Sequence, residues 1–151
     1  MVKGPTLFSG YWNNPETNAR DFAGGWFRMG DLFTRNEDGT VDFVGRAKYL
    51  IKSGGENIYP AEIEAVLYEH PAVHQCAVIG IPHPKWGETP LAMVISRGGT
   101  AISEEQLLEW VNPKLAKYQQ IARVEFCDDF PRNALGKVLK RELRAPYWEG
   151  Q

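Results

Sequence analysis

The chain has 151 residues, of which 43% are hydrophobic and 12% aromatic, a composition that supports one packed domain and argues against disorder. Its net charge of −2, from 17 basic and 19 acidic side chains, leaves no electrostatic footprint for nucleic acid. No apolar run approaches the ~20 residues that span a membrane, and residues 1–5 are not followed by the apolar core of a signal peptide. Cys76 and Cys127 lie far apart and match no metal spacing. They indicate a reduced, intracellular compartment, so we expect a cytoplasmic protein.

The first part of the chain, residues 1–47, is rich in Gly, Asn and Asp and contains many aromatic side chains. Its turn residues and short apolar runs predict a helix over 16–22, a strand over 26–31 and a β-hairpin over 31–45, with the hairpin turn at 36–39. This stretch is too thin to hold a core of its own. We therefore expect it to be the β-rich end of a larger domain.

From residue 48 onward, strand and helix patterns alternate. The predicted elements are two short strands, a helix, two strands, a helix, a strand and a last helix, over 50–52, 57–59, 60–70, 73–81, 91–96, 103–115, 122–127 and 137–144. Pro82-His83-Pro84 predicts a loop, Ser103 to Gln106 fits a capping box, and Pro113 should kink or divide the helix that follows. This order predicts an α+β fold for 48–151, in which a β-hairpin precedes a three-stranded sheet covered by helices.

The most specific signal is a series of short motifs in one order. They are Gly30-Asp31, Gly45-Arg46, Lys52 through Glu64, Trp86-Gly87-Glu88 and Pro131 through Lys137. Together they resemble the C-terminal part of the adenylate-forming superfamily, which contains acyl-CoA synthetases, luciferases and the adenylation domains of peptide synthetases. Within it, the chain looks most like fatty-acyl-CoA ligases of medium or long chain specificity. The resemblance implies that 1–47 ends the large N-terminal domain and that 48–151 is the small, mobile C-terminal domain.

The resemblance also implies a nucleotide site and a hinge. Asp31 falls where the family places a carboxylate on the ribose hydroxyls of ATP, and Arg46 matches an arginine near the ribose and phosphate. Lys48 falls on the position about which the small domain swings between its adenylating and thioester-forming arrangements. The structural alternatives are an aspartate in a turn, an arginine that ends a strand and an exposed lysine.

Three residues are implied in CoA binding and one in catalysis. Gly54 and Gly55 lack a Cβ and would let the backbone approach the pantetheine arm of CoA, and Trp86 matches a position that lines the CoA channel. The alternatives are a simple hairpin turn and a tryptophan used for packing. Lys137 matches the catalytic lysine, which lies on a mobile loop and contacts the substrate carboxylate and the α-phosphate region. As an isolated Gly-Lys pair it would be only a solvated lysine.

The resemblance implies a ligase that joins a fatty acid to AMP and then to CoA, with ATP, CoA and Mg²⁺ as ligands of the full-length parent. The family's phosphate-binding loop is missing from this sequence, since Gly98-Gly99-Thr100 is too short and lacks the lysine. We therefore expect a fragment that is inactive alone, has no metal site and holds no tightly bound cofactor. Two alternatives stay open: a stand-alone binding or interaction module, and part of an adenylation domain that serves a carrier protein. Exposed aromatics, among them Tyr11, Trp12, Trp26 and Phe27, could pair two copies of the chain.

Overall fold

The computed structural model describes residues 1–98 and 102–150. Gly99 and Thr100, which belong to the short glycine segment considered above, lie outside the described residues. The chain divides into two compact units, Met1–Lys48 and Tyr49–Gln151. Within the described part of the chain, no helix is both long and apolar enough to cross a membrane.

The first unit, all of whose residues the structure describes, has one short helix and two small antiparallel pairs of strands. Its elements are α1 Pro15–Asp21, β1 Phe22–Ala23, β2 Trp26–Phe27, β3 Asp31–Arg35 and β4 Val41–Arg46. α1 begins after Asn14, whose side chain accepts a hydrogen bond from the Thr17 N–H at 3.2 Å, as an N-cap residue does. β3 pairs with β4, so the predicted hairpin is confirmed. The strand predicted over 26–31 breaks after β2, because Gly30 turns to accept a hydrogen bond from the Ala47 N–H at 2.9 Å.

Aromatic side chains pack together in the first unit. The rings of Phe8, Phe22 and Phe27 contact one another, with centroids 5.2, 5.0 and 4.8 Å apart in the three pairs. Phe27 is therefore half-buried. This corrects the expectation that Phe27 is one of the exposed aromatics, because its ring is used inside its own unit.

Over its described residues, the second unit is a five-stranded sheet with helices on both faces. Its elements are β5 Ile51–Ser53, β6 Glu56–Ile58, α2 Pro60–Tyr68, β7 Val73–His83, β8 Gly87–Ser96, α3 Glu104–Val111, β9 Arg123–Phe126 and α4 Lys140–Trp148. The strand order is β6-β5-β8-β7, and β9 runs parallel to β8. The predicted α+β class is confirmed, with one correction to the sheet. The β5–β6 hairpin is part of it, because Ser53 pairs with Gly87 at the start of β8.

The segment around Pro82 is strand and not the predicted loop. Pro82 pairs with Glu88 in a β7–β8 ladder that extends to His83. Among the described strands, β7 pairs only with β8, so it is an edge strand. A proline is tolerated there because an edge strand does not need every N–H for the ladder.

Two helix boundaries depend on local features near the end of the chain. α3 ends at Val111 and a 3-10 turn that contains Pro113 follows, so the predicted division of this helix is confirmed. The last helix, predicted over 137–144, begins later. Arg132 and Val138 first form an antiparallel bridge, which uses the start of the predicted helix as extended chain.

Opposite faces of the sheet bury alternate residues of its strands. Cys76 and Val78 of β7 pack in the cluster that includes side chains from α2 and α3. Ala77 and Ile79, their neighbours in sequence, pack in the cluster that contains Leu143 of α4. This is the period of two that a strand buried on both faces requires. The packing of α4 on this second face holds the start of the helix next to the sheet. The loop that carries Lys137 leads directly into this helix.

Candidate functional site

The two residues implied in nucleotide binding lie side by side at the open end of the β3–β4 hairpin. Asp31 and Arg46 are paired in register, and Arg46 Nε lies 2.7 Å from Asp31 Oδ1. This contact is an ion pair, but within the described part of the chain the buried Asp31 Oδ1 receives no well-directed hydrogen bond. The pair therefore sets a carboxylate, which can accept from a hydroxyl group, beside a guanidinium, which can bind a phosphate.

Lys48 lies at the boundary between the two units. It is the last residue of Met1–Lys48 and the middle residue of the 3-10 turn Ala47–Tyr49, and its side chain is exposed. A pivot needs a backbone position outside the regular strands and helices, where dihedral angles can change. Lys48 lies between β4 and β5, in a single 3-10 turn and outside the β-strands and α-helices.

The β5–β6 turn and Trp86 form one wall of a cavity in the second unit. The Gly54 N–H donates to the Trp86 carbonyl at 2.8 Å, and both residues line a cavity of about 490 Å³. Gly55 does not line it, and a Cβ on Gly55 would meet no described atom within 4 Å. The structure thus brings together two of the three residues implied in CoA binding.

The same cavity is lined by residues for which the sequence predicted no role. They are Ser53, Glu56, His83, Thr89, Lys117, Tyr118 and Gln120. Lys117 and Tyr118 lie in a 3-10 turn before β9. In the sequence they are only a basic residue followed by an aromatic one, outside any periodic pattern, so nothing there predicted that they line a cavity. Trp86 and Tyr118 provide aromatic surfaces, so the cavity suits a flat heteroaromatic ring, and its lining carries one cation, Lys117, and one carboxylate, Glu56.

The loop between β7 and β8 holds Trp86 in place. His83 Nδ1 accepts hydrogen bonds from the backbone N–H groups of Lys85 at 3.2 Å and Trp86 at 3.1 Å. The imidazole and indole planes are 22° apart with centroids at 6.4 Å, and Lys85 Nζ lies 4.2 Å from the centroid of the Trp86 ring. The indole is therefore positioned by its own loop before any ligand is present.

Lys137 lies on the exposed loop between β9 and α4 and does not line the cavity. Its N–H donates to Asn133 Oδ1 at 2.9 Å, and its carbonyl accepts from the Asn133 N–H at 3.0 Å. Within the described residues its ammonium group has no ion-pair partner. The backbone of Lys137 is thus held while its charge stays available to an anionic ligand.

A half-buried ion pair connects the start of α4 to α2 and β7. Lys140 Nζ contacts Glu64 Oε1, and the same oxygen accepts a hydrogen bond from the Val78 N–H at 2.7 Å. The side chains of Lys140 and Glu64 are 18% and 17% exposed. Beside them, burial and the charge of Glu64 raise the pKa of the Cys76 thiol to about 12. The raised pKa disfavours the thiolate, which is the reactive form of a cysteine.

The described residues offer no site for the Mg²⁺ that the sequence resemblance implies. No group of three or more His, Cys, Asp or Glu side chains among them is arranged to hold a metal ion. Mg²⁺ prefers carboxylate and phosphate oxygens together with waters, and Asp31 is already engaged by Arg46. These residues therefore do not by themselves hold a magnesium ion.

Comparisons with known proteins identify a domain family and named relatives. A family model described as "AMP-binding enzyme C-terminal domain" matches residues 62–137. The feruloyl-CoA synthase of an Amycolatopsis species is 46% identical over 95% of this chain. The long-chain-fatty-acid–CoA ligase FadD13 of Mycobacterium tuberculosis is 42% identical over 97% of this chain. The chain spans 29% of the length of each of these two relatives.

A solved structure agrees with these relatives. The crystal structure of ATP-bound MatB from Rhodopseudomonas palustris matches with a TM-score of 0.89 and 42% identity. The match covers 97% of this chain and 29% of that one. At 42% identity, the two chains are alike in amino-acid sequence as well as in fold.

Proposed function

The chain belongs to the family of AMP-binding enzyme C-terminal domains, and from this premise we propose that it is the C-terminal part of an ATP-dependent acid–CoA ligase. In that reaction, a carboxylate attacks the α-phosphorus of ATP and pyrophosphate leaves. The thiol of CoA then attacks the acyl carbon, and AMP leaves. Met1–Lys48 ends the large domain that carries the phosphate-binding loop, and Tyr49–Gln151 is the small domain that moves against it.

The observation that carries this proposal is the placement of Lys137. Its ammonium faces solvent without an ion-pair partner among the described residues, while Asn133 bonds its backbone. In the adenylation step, Lys137 binds the substrate carboxylate and an α-phosphate oxygen. Its positive charge offsets the negative charge that builds up as these two anions approach each other. A compact ammonium on a flexible stem can follow both oxygens through the reaction.

Asp31 and Arg46 bind the nucleotide in this proposal. The Asp31 carboxylate, which Arg46 holds through Oδ1, accepts a ribose hydroxyl. Arg46 holds the carboxylate in an ion pair through its Nε and reaches the ribose and phosphate oxygens with its outer N–H groups. The ion pair supports this assignment because it holds the carboxylate and the guanidinium side by side before the nucleotide binds.

The hinge and the cavity act in the second step, in which the thioester with CoA forms. Lys48, at the boundary of the two units, is the pivot of the small domain. The cavity walled by Gly54 and Trp86 binds CoA, since its aromatic lining suits an adenine ring and Lys117 can bind a phosphate group. Gly55 keeps the β5–β6 turn free of side chains beside the pantetheine arm.

We propose a fatty acid as the substrate class. The support is the sequence resemblance together with the relative named as a long-chain-fatty-acid–CoA ligase, at 42% identity. Aromatic acids are the competing class, since a feruloyl-CoA synthase is 46% identical. Thioester formation with a panel of fatty and hydroxycinnamic acids separates the two classes, and activity with the aromatic acids alone would overturn the assignment.

We also propose that exposed aromatics of the first unit associate copies of the isolated chain. Trp12 is 97% exposed, Trp26 45% and Tyr11 42%, and apolar side chains at this exposure favour association. Light scattering should give a mass above that of one chain. A monomer across the accessible concentration range would refute the proposal.

The principal test is the Lys137→Ala variant of the whole protein. We expect ATP–pyrophosphate exchange to fall by about 10²–10³-fold, the usual effect of removing one charge-stabilising donor. Lys114→Ala is the matched control, because it removes an exposed lysine that bonds Glu69 and lies outside the proposed site. Equal activity of Lys137→Ala and the control would overturn the proposal. The isolated chain should show no exchange with any acid.

Two other functions give different results in the same assays. An adenylation domain that serves a carrier protein would form acyl-AMP but no thioester with free CoA. A stand-alone binding module would show no pyrophosphate exchange in any form of the protein. Thioester formation on free CoA by the whole protein excludes both.

A further inference from the structure

The loop that carries Lys137 is organised by one side chain, that of Asn133. Asn133 Oδ1 accepts from the Leu135 N–H at 3.0 Å and from the Lys137 N–H at 2.9 Å. The Asn133 backbone also closes the loop, because its N–H donates to the Lys137 carbonyl at 3.0 Å and its carbonyl accepts from the Gly136 N–H at 2.9 Å. The loop therefore has defined backbone hydrogen bonds although its side chains are exposed.

Arg132 ties this loop to the sheet. Its Nη1 donates to the Gly136 carbonyl, directly before Lys137, at 2.9 Å. Its Nη2 donates to Oε1 of Gln75, a residue of β7 that lies 57 positions away in the sequence. A longer ion pair joins Arg132 Nε to Asp129 at 3.7 Å. One guanidinium thus connects the residue before Lys137 to a strand of the sheet.

We propose that Arg132 and Asn133 are positioning residues for Lys137, and that Gln75 is the fixed point on the sheet from which they act. This inference rests on the proposed role of Lys137 in adenylation. Asn133 sets the conformation of the loop, and Arg132 sets its position relative to β7. Neither side chain needs to touch a substrate.

The physical reason is the cost of misplacing a catalytic group. An exposed loop without such bonds samples many conformations, and each one points the Lys137 stem in a different direction. Misplacing a catalytic group by about 1 Å can lower a rate ~100-fold. Bonds that fix the backbone on both sides of Lys137 confine the ammonium to the volume that its own stem can reach.

Amide hydrogen exchange on this chain tests the proposed order of the loop. In Asn133→Ala, exchange at the Leu135 and Lys137 amides should rise about tenfold, the effect of losing one hydrogen bond. Asn133→Asp retains an acceptor oxygen at the same place and should restore the protection. Arg141→Ala, which removes an exposed arginine of α4, should leave both amides unchanged. Unaltered exchange in Asn133→Ala would overturn the inference.

Kinetics of the whole protein test the consequence for catalysis. Arg132→Ala and Gln75→Leu should lower kcat of ATP–pyrophosphate exchange by at least ~10-fold with KM for ATP little changed. Gln75→Glu, which keeps the acceptor, should behave like the unmodified protein. Thioester formation from supplied acyl-AMP should be unaffected. General destabilisation of the domain would instead lower both adenylation and thioester formation.

The outcomes separate the inference from the function on which it rests. If Lys137→Ala keeps full exchange activity, the function proposed for Lys137 is wrong. If Lys137→Ala loses activity while Arg132→Ala and Gln75→Leu keep it, only the positioning role is wrong. Loss of both half-reactions together in Arg132→Ala would also count against positioning, because it indicates damage to the domain as a whole.

Discussion

Trp86 fills the space that a side chain on Gly54 would need. A Cβ placed on Gly54 would lie 2.9 Å from Trp86 Cε3, and Gly54 has a φ of +59°. The Gly54 N–H also donates to the Trp86 carbonyl at 2.8 Å. The turn and the indole are therefore fitted to each other, and a change in one alters the cavity wall that both form.

Gly54→Ala should destabilise the second unit and disturb this wall. The left-handed conformation costs a non-glycine residue about 1–3 kcal/mol, and the contact with Trp86 adds to it. We expect a lower Tm and a less negative free energy of folding in urea titrations. Gly55→Ala is the matched control, because φ there is +92° but no described atom lies within 4 Å of a Cβ. If both variants lose the same stability, the contact with Trp86 contributes nothing.

A double-mutant cycle isolates the contact itself. In Gly54→Ala/Trp86→Ala the indole is absent, so the Cβ has room and only the backbone strain remains. The cost of Gly54→Ala should therefore be smaller in the Trp86→Ala background. Additive effects of the two substitutions would contradict a direct contact.

Local patterns in the sequence predicted most of the fold. The capping box at Ser103 is present, with the Gln106 N–H donating to Ser103 Oγ at 3.2 Å, because both partners lie within one helical turn. Pro82 was misassigned because its effect depends on whether its strand has a neighbour on both sides. That is a property of the assembled sheet, and no local pattern carries it.

Residues of the candidate site stand out in the sequence only where they belong to a motif. Asp31 and Arg46 are paired by hairpin register, so their proximity follows from the turn between them. Tyr118 gave no such signal, because it reaches the cavity from a turn between elements. The contact between Lys140 and Glu64 joins residues 76 positions apart, and one sequence contains no pattern for a pair at that separation.

Glu64 should be important for stability because one carboxylate oxygen serves two partners. In Glu64→Gln the amide oxygen can still accept from Val78, but the ion pair with Lys140 is lost, so we expect a loss of about 1 kcal/mol. In Glu64→Leu, the Val78 N–H and the Lys140 ammonium both lose their partner, and the loss should reach about 3 kcal/mol. Urea denaturation of both variants measures the difference.

Glu64→Leu/Lys140→Met is the control for this prediction. It removes the unpaired charge but leaves the Val78 N–H without its acceptor. Its stability should lie between those of the two single Glu64 variants. A double variant no more stable than Glu64→Leu would show that the ion pair with Lys140 is not the source of the loss.

The free energy of unfolding should decrease as the pH rises above 9. Burial and the charge of Glu64 raise the pKa of Cys76 from 9.0 to about 12. Between these values the unfolded chain loses the thiol proton and the folded chain keeps it, so stability falls by up to about 1.4 kcal/mol per pH unit. Tyr68, Cys127 and Tyr147 also have raised pKa values and act in the same direction.

The contribution of Cys76 is therefore measured as a difference. Cys76→Ala removes one titrating group, so its stability should depend less steeply on pH above 9 than that of the unmodified chain. The comparison concerns the slopes, because the smaller alanine side chain also lowers stability by an amount that does not depend on pH. Parallel curves would show that the thiol ionises in the folded chain as it does in the unfolded one.

The cavity should bind CoA in preference to AMP. In nuclear magnetic resonance titrations of this chain with CoA, the Trp86 indole N–H and the Gly54 amide should shift together, because both groups lie at the cavity wall. AMP at the same concentration should shift them less, since it lacks the pantetheine arm. Tyr118→Leu should weaken CoA binding by removing an aromatic surface, whereas Tyr11→Leu, an equally drastic change in the first unit, should not. Equal shifts with AMP would show that the cavity has no preference for CoA, and shifts that avoid Trp86 and Gly54 would place the CoA site elsewhere.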